Sequence, residues 1–137
     1  IAIFDFENNT LQFAGANQPI LILRDGEIIE IKGDRMHITN AISNLLDNAI
    51  KFSGGTSEVE IHVGAKRVEV RDHGPGISDE DKPHVFDRFY RATATRSMPG
   101  SGLGLSIVSQ FAEDHNASAY VLDNVGGGAI VGIQFTA

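Results

Sequence analysis

The chain lacks several features that define whole classes of protein. It contains no cysteine, which excludes a disulfide scaffold, a zinc–thiolate site and a thiol nucleophile. Its apolar runs are only a few residues long, too short to span a bilayer. Basic residues are scarce, since 11 Lys and Arg stand against 18 Asp and Glu for a net charge of −7. We therefore expect no nucleic-acid partner and no direct membrane contact.

The remaining composition is that of an ordinary folded domain. With 137 residues, 42% apolar and 21% charged, the chain is long enough to bury a core without cross-links. We expect one domain over residues 1–137. The sequence shows no signal peptide, and Ile1 in place of Met suggests a fragment.

Hydrophobic periodicity predicts strands and helices in alternation. The predicted strands are Ile1–Phe6, Thr10–Ala14, Ile20–Arg24, Ile28–Lys32, Val59–Val63, Val68–Val70, Ala119–Asp123 and Ala129–Phe135. The predicted helices are Arg35–Phe52 and Leu103–His115, with Asn116 as a left-handed cap and a short helix near Asp79–Phe89. This order predicts an α+β fold, a two-layer α/β sandwich with helices packed on one face of a mixed sheet.

The first predicted helix carries an unusual polar stripe. At 100° per residue, Asn40, Asn44, Asn48 and Lys51 fall within an arc of roughly 80°. Asparagine is a poor helix former, so the stripe does little for stability. Amide oxygens beside a positive charge suit a hard cation and a phosphate. The alternative interpretation is a polar outer face with poorly chosen residues.

Two glycine-rich segments follow. Asp72–Gly76 comes where a predicted strand ends, and a carboxylate there can accept an exocyclic amine such as that of adenine. The alternative is an Asp that caps a Gly-Pro turn. Gly100–Gly104 opens the second helix, where free N–H groups and the helix dipole favour an anion. A lone glycine motif of this kind is weak evidence.

Between them, Val85–Arg91 combines aromatic and basic residues. Phe86 and Phe89 could anchor a loop, while Arg88 and Arg91 could approach phosphates. An amphipathic turn docked on the core is the alternative, and the two interpretations can hold for different residues of this segment.

Together these motifs resemble a known family. Asn44–Phe52, Asp72–Ile77, Phe86–Arg91 and Gly100–Val108 closely resemble the N box, first glycine box, F box and second glycine box of the catalytic ATP-binding domain of bacterial sensor histidine kinases. These kinases share an ATPase superfamily with gyrase, Hsp90 and MutL. The resemblance covers about residues 34–137 and implies the Bergerat-type ATP-binding fold. It further implies a core over 37–137 with a mobile ATP lid over about 78–101.

The resemblance also implies ligands and roles. The implied nucleotide-binding residues are Asn44, Asn48, Lys51, Phe52, Asp72, Gly74, Gly76, Ile77, Gly102, Leu103 and Gly104. Asn48 and Asn44 would bind Mg²⁺, Asp72 the adenine amino group, and Arg88 or Arg91 the γ-phosphate. Because Asp72 lies at a strand end, we expect Asp72→Ala to abolish adenine recognition with little loss of fold.

The implied function is that of the Mg-ATP-binding catalytic domain of a two-component sensor histidine kinase. Such a domain binds ATP and ADP and transfers the γ-phosphoryl group to a histidine on a separate dimerisation domain, from which a response regulator is served. None of the five histidines here is followed by Glu or Asp, as the family's acceptor usually is. The chain is therefore expected to be an incomplete kinase, and the cytoplasmic part of a membrane-attached protein.

Residues 1–36 depart from the family's usual lead-in. The run from Asp5 to Met36 resembles paired β-hairpins of sporulation-type metal-dependent serine phosphatases. We hypothesise a chimera, against a divergent natural lead-in as the competing idea. The alternative function is then a non-catalytic chimeric scaffold that retains at most nucleotide binding.

Overall fold

The computed structural model describes residues 2–5, 10–13, 20–24, 27–31, 35–54, 58–64 and 66–136. The chain divides into two compact units, Ile1–Asn40 and Ala41–Ala137.

The first unit holds a four-stranded sheet. Its strands are β1 (Ala2–Asp5), β2 (Thr10–Phe13), β3 (Ile20–Arg24) and β4 (Glu27–Ile31), in the order β2-β1-β3-β4. The pair β1–β3 is parallel, while β1–β2 and β3–β4 are antiparallel. All four strands predicted for this segment are confirmed, with ends that differ by one residue at most.

Helix α1 runs over Arg35–Phe52, as the sequence predicts, and passes from the first unit into the second. Its apolar positions recur at helical spacing, and Ile38, Ala41, Leu45 and Ala49 are all buried. The helix ends where Gly54 adopts a left-handed φ of 71°.

The second unit is built on another four-stranded sheet. Its strands are β5 (Glu60–Gly64), β6 (Arg67–Arg71), β7 (Ala117–Asp123) and β8 (Ala129–Phe135), in the order β5-β6-β8-β7. All three pairings are antiparallel. The predicted two-layer α+β fold is confirmed, but the expectation of a mixed sheet under the helices is wrong. The reason is that β5–β6 and β7–β8 are hairpins, and β8 lies beside β6 in the opposite direction.

One face of this sheet forms the core. The buried side chains on it are Val63, Val68, Val70, Val131 and Ile133. Helix α2 (Gly104–Asp114) packs on β7 and β8 and buries Val108, Phe111 and Ala112. Each such large apolar side chain stabilises the fold by about 1.5–3 kcal/mol. Just beyond α2, Asn116 has a φ of 52°, so the predicted left-handed residue is confirmed.

The segment between β6 and α2 is largely irregular. It contains two short 3₁₀ turns, Lys82–His84 and Thr93–Thr95. The short helix predicted near Asp79–Phe89 is therefore reduced to a single turn. Pro83 removes a backbone donor, and Phe89 has a φ of 63°, which ends any helical path. Within the described part of the chain, no helix is both long and apolar enough to cross a membrane.

Candidate functional site

A cavity of about 250 Å³ opens in the second unit. Its wall comes from one side of α1, the ends of β6 and β8, and the irregular segment that leads into α2. The lining residues are Asn44, Leu45, Asn48, Ala49, Lys51, Phe52, Val70, Asp72, Gly76, Ile77, Val85, Tyr90, Arg91, Ala92, Thr95, Gly100, Ser101, Gly102, Gly104, Leu105, Ala129 and Val131. Ten of these residues are apolar and eight carry polar or charged side chains, and small-molecule sites commonly combine apolar walls with placed polar groups.

Asp72 is the one acidic residue among those that line the cavity. It follows β6 directly and is 5% exposed. Its Oδ1 accepts the backbone N–H of Gly74 at 2.9 Å and that of Ala129 at 3.1 Å. Among the described residues, none donates a hydrogen bond to Oδ2. The carboxylate is therefore held by one oxygen, and the other is available to a donor in the cavity.

The turn between β7 and β8 holds Asp72 in place, a contribution that the sequence reasoning missed. Asp72 N–H donates to the Ala129 carbonyl at 2.9 Å, and Asn124 Nδ2 donates to the Asp72 carbonyl at 2.8 Å. Gly128 has a φ of 99°, and a side chain on it would overlap the Asp72 carbonyl oxygen. The run of three glycines was a visible signal, but nothing local showed that this turn reaches residues more than fifty positions earlier.

Asn44 and Lys51 of α1 lie against the second glycine segment. A side-chain carbon on Gly104 would lie 3.0 Å from Asn44 Oδ1, and one on Gly100 would lie 2.5 Å from Lys51 Nζ. The absence of side chains there lets an amide oxygen and an ammonium group approach the backbone closely. Lys51 Nζ also lies 5.2 Å from the centre of the Phe52 ring, a cation–π contact.

The beginning of α2 points its first turn at the same space. Gly104 and Leu105 line the cavity, and no side chain caps the helix. The preceding Gly102 has a φ of 74°, and a side-chain carbon there would lie 2.8 Å from the Tyr90 carbonyl oxygen. Unsatisfied N–H groups and the helix dipole make such a first turn attractive to anions.

The irregular segment is tied together by Asp81. This carboxylate is 6% exposed and accepts hydrogen bonds from Ser78 Oγ at 2.8 Å and Tyr90 Oη at 2.5 Å. The Tyr90 and Ser78 hydroxyls hold the pKa of Asp81 below its ordinary value, and the Asp81 carboxylate raises the pKa of Tyr90. Tyr90 lies within the predicted F box, but its position in the cavity wall was not predicted.

Arg91 donates within the same segment. Its Nη2 hydrogen-bonds the carbonyl of Thr95 at 3.3 Å and that of Met98. Arg88 is exposed and does not line the cavity.

Most of the predicted site residues meet in this cavity. Those that line it are Asn44, Asn48, Lys51, Phe52, Asp72, Gly76, Ile77, Arg91, Gly102 and Gly104. Gly74 and Leu103 do not line it. The Gly74 N–H donates to Asp72, and a side-chain carbon on Gly74 would overlap the Phe52 carbonyl oxygen. Leu103 is the N-cap residue of α2. Asn40 is exposed and lies outside the cavity wall.

The fold and this site define a class of protein. Residues 33–137 match the family described as histidine kinase-, DNA gyrase B-, and HSP90-like ATPase, and the chain belongs to that family. The domain is thus an ATP-binding domain, homologous to the catalytic domains of sensor histidine kinases.

Sequence relatives narrow the class. The chain is 46% identical over 112 residues to the signal transduction histidine-protein kinase/phosphatase MprB of Mycobacterium sp. (strain KMS). That alignment covers 77% of this chain and 22% of that protein. It is 40% identical over 123 residues to the sensor histidine kinase YkoH of Bacillus subtilis (strain 168), covering 85% of this chain and 27% of that protein. The chain therefore spans only about a fifth to just over a quarter of the length of these relatives.

Solved structures agree with the fold. A mycobacterial sensor histidine kinase MprB structure superposes with a TM-score of 0.68 at 34% identity, over 77% of this chain and 76% of that one. A structure of the catalytic domain of the histidine kinase ThkA superposes with a TM-score of 0.69 at 28% identity, over 81% of this chain and 73% of that one.

Proposed function

We propose that this domain binds Mg-ATP in the cavity and supplies the γ-phosphoryl group to a histidine on a separate dimerisation domain, as the catalytic part of a sensor histidine kinase. The observation that carries the proposal is the buried Asp72 carboxylate, which keeps one oxygen toward a cavity bordered by an amide-bearing helix. A response regulator would then take the phosphoryl group from that histidine.

Adenine recognition would rest on Asp72. Its Oδ2 is an acceptor in a largely apolar pocket, and the exocyclic amine of adenine is a donor of matching chemistry. Both N–H groups on Oδ1 fix the carboxylate plane. The Phe52 ring, Ile77 and Val131 border the same pocket and would pack on the faces and edges of the base. Gly76, at a φ of 77°, would let the backbone come close to the purine.

Phosphate binding would rest on Lys51, Gly102 and the first turn of α2. The donor set also fits Mg²⁺ that arrives with a nucleotide. The amide oxygens of Asn44 and Asn48 are hard, neutral ligands that line the cavity, and Mg²⁺ is usually held by one or two protein groups together with substrate phosphates. In the described part of the chain, no group of three or more His, Cys, Asp or Glu forms a metal site without nucleotide. When bound, the ion would neutralise charge on the phosphates.

The chain's own contribution to phosphoryl transfer would be positioning and charge. Little covalent chemistry is asked of the protein in such a reaction, so holding the nucleotide in line with its acceptor supplies most of the rate. Residues 78–101 would act as the lid. Arg91 binds two lid carbonyls, so contact with a γ-phosphate would require those hydrogen bonds to exchange for the anion. Arg88, being exposed, is the other candidate.

The chain would work only with partners. The acceptor histidine, the dimerisation domain and the response regulator belong to the longer protein, which by the same proposal is membrane-attached with this domain in the cytoplasm. The origin of residues 1–36 stays a hypothesis. Alignment to a sensor kinase over 85% of the chain includes part of this segment, which favours a natural lead-in over a phosphatase-derived one.

Calorimetric titration tests the proposal. ADP and a non-hydrolysable ATP analogue are added to the purified chain with Mg²⁺ and with EDTA. We expect both nucleotides to bind one site, the ATP analogue more tightly with Mg²⁺. GTP serves as the control, since its base offers a carbonyl where adenine offers an amine. If neither adenine nucleotide gave a heat of binding, the kinase proposal would be wrong and the non-catalytic scaffold would remain.

A further inference from the structure

We propose that Asp81 is a positioning residue for nucleotide binding: it fixes the cavity wall formed by Tyr90, Arg91 and Ala92 without touching the nucleotide. The inference rests on the proposed function, because it concerns how the same cavity is shaped.

The first observation is where Asp81 lies. The carboxylate is almost fully buried yet does not line the cavity. Its two oxygens are divided between the two ends of one stretch of chain. Oδ2 accepts Ser78 Oγ at 2.8 Å, just after the first glycine box, and Oδ1 accepts Tyr90 Oη at 2.5 Å, in the F box.

The second observation is what the network holds. Phe89 has a φ of 63° and is 71% exposed, so its own packing does not explain this conformation. Its N–H donates to the Gly102 carbonyl at 3.0 Å. Tyr90 is thus fixed on one side by Asp81 and on the other by the second glycine box. A left-handed non-glycine residue persists only where its surroundings over-determine it.

The two anchors make a division within residues 78–101. In residues 78–90, the Asp81 carboxylate joins Ser78 to Tyr90 and so closes a loop. Residues 91–101 follow that loop, and in them Arg91 bonds the Thr95 carbonyl and lines the cavity. Loss of the Asp81–Tyr90 hydrogen bond would make the wall of Tyr90, Arg91 and Ala92 mobile while the rest of the domain stays folded. Nucleotide affinity should then fall because the wall must be ordered on binding.

A matched control lies on the opposite face of the sheet. Tyr120 Oη donates to a Glu69 oxygen at 2.5 Å, the same donor, acceptor type and distance as the Tyr90–Asp81 pair. Neither Tyr120 nor Glu69 lines the cavity. Tyr90→Phe and Tyr120→Phe therefore remove the same chemical group, one beside the cavity and one away from it.

The test titrates ADP with Mg²⁺ into the wild-type chain, Tyr90→Phe, Asp81→Ala, Asp81→Asn and Tyr120→Phe. We expect Tyr90→Phe and Asp81→Ala each to bind about tenfold more weakly, the scale of one lost hydrogen bond to a charged group. Asp81→Asn keeps an acceptor for Tyr90 and should recover most of the loss. Tyr120→Phe should stay within about twofold of the wild type, since it changes nothing near the cavity.

A double variant separates indirect from direct action. If Asp81 acts through Tyr90, Asp81→Ala with Tyr90→Phe binds no more weakly than Asp81→Ala alone. Multiplied losses would show that the two residues act separately and would overturn the proposal. Tryptic cleavage after Arg91 in the nucleotide-free protein gives a second readout, expected to be faster in Tyr90→Phe than in Tyr120→Phe.

The outcomes remain distinguishable. A wild-type chain that binds no nucleotide removes the proposed function and this inference with it. A wild-type chain that binds, with Tyr90→Phe and Asp81→Ala equal to it in affinity and in cleavage, removes this inference alone. Should Asp81→Ala fail to fold, Ser78→Ala together with Tyr90→Phe tests the same network by removing only hydroxyl groups.

Discussion

Two buried carboxylates three residues apart, Asp72 and Glu69, have opposite fates. Asp72 is 5% exposed and Glu69 is 2% exposed. Asp72 is held by backbone N–H groups on one oxygen, and the other faces a cavity. Glu69 has both oxygens occupied, Oε1 by Arg71 at 2.6 Å and Oε2 by Tyr120 at 2.5 Å.

Strand geometry explains the difference. Glu69 lies within β6 on the face away from the helices, opposite Gly132 of β8. Gly132 has no side chain, so the Tyr120 ring of the next strand crosses over it to reach Glu69. Asp72 lies one residue past the end of β6, where its N–H still donates to the Ala129 carbonyl and the regular strand ends. Burial alone therefore does not mark a binding residue. A buried carboxylate is a candidate when one of its oxygens keeps no hydrogen-bond donor and faces a cavity, as in Asp72.

The largest expected effect is on ligand affinity, from Asp72→Asn. The amide keeps Oδ1 for the N–H groups of Gly74 and Ala129 and replaces Oδ2 by a donor, which would face the adenine amine. We expect ADP affinity to fall about 100-fold with a small change in thermal stability. Calorimetry and a thermal melt on the same sample check it. An unchanged affinity would show that the second oxygen of Asp72 does not bind the nucleotide.

Asp72→Ala is expected to cost fold as well as affinity. Removing the carboxylate leaves the half-buried N–H of Gly74 and the buried N–H of Ala129 without their acceptor, and an unsatisfied buried donor costs about 1–3 kcal/mol. This revises the expectation from sequence that the substitution spares the fold. Chemical denaturation measures the free energy of unfolding directly.

The converse effect is expected of Glu69→Gln, which should lower stability by about 2 kcal/mol and leave ADP affinity unchanged. Burial raises the pKa of Glu69, but hydrogen bonds from Tyr120 and Arg71 outweigh it and hold the pKa below its ordinary value. The stabilisation is therefore present at neutral pH and is lost as the pH falls below about 4.5 toward the folded-state pKa. In Glu69→Gln, the free energy of unfolding should therefore depend less on pH in this range. A variant that weakened ADP binding instead would place Glu69 in the site.

Asn48→Ala sharpens the comparison within the cavity. We expect an ATP analogue to bind about tenfold more weakly with Mg²⁺ and nearly unchanged with EDTA, because the lost amide oxygen serves the cation. Asn40→Ala, on the same helix stripe but outside the cavity wall, is the matched control. Equal losses in both buffers would show that Asn48 does not act through Mg²⁺.

The smallest expected effect separates two left-handed glycines. Gly102 has a φ of 74° and a crowded surrounding, while Gly126 has a φ of 91° and open space around it. Alanine should cost about 1 kcal/mol of stability at Gly126. At Gly102 the cost should be about 1 kcal/mol greater, with weaker ADP binding in addition. Equal costs in denaturation and unchanged binding would argue that the second glycine box is structural only.

Local pattern was sufficient for much of the fold. The α1 bounds followed from the apolar spacing of Ile38, Leu45 and Ala49 and from Gly54 beyond it. The strands β5–β8 followed from alternation and glycine turns. The short helix near Asp79–Phe89 was overestimated because Pro83 and the left-handed Phe89 break the path, and no rule of local propensity predicts a left-handed phenylalanine.

The residues of the candidate site could be predicted from the sequence, but the hydrogen bonds that position them could not. Asn44, Asn48, Lys51, Asp72 and Gly102 carry motif-level signals that survive in one sequence. Asn124 reaches Asp72 from 52 positions further along the chain. Tyr90 reaches Asp81 from nine positions away within an irregular segment, where no periodic pattern predicts the pairing.

Composition, periodicity and motif order suffice to place this chain among α+β nucleotide-binding domains, because those signals are local and repeat along the chain. Which carboxylate keeps a free oxygen and which is spent on a neighbour depends on strand register and on where β6 ends. Those are properties of paired strands, and they exist only once β8 has brought Ala129 and Gly132 against Asp72 and Glu69.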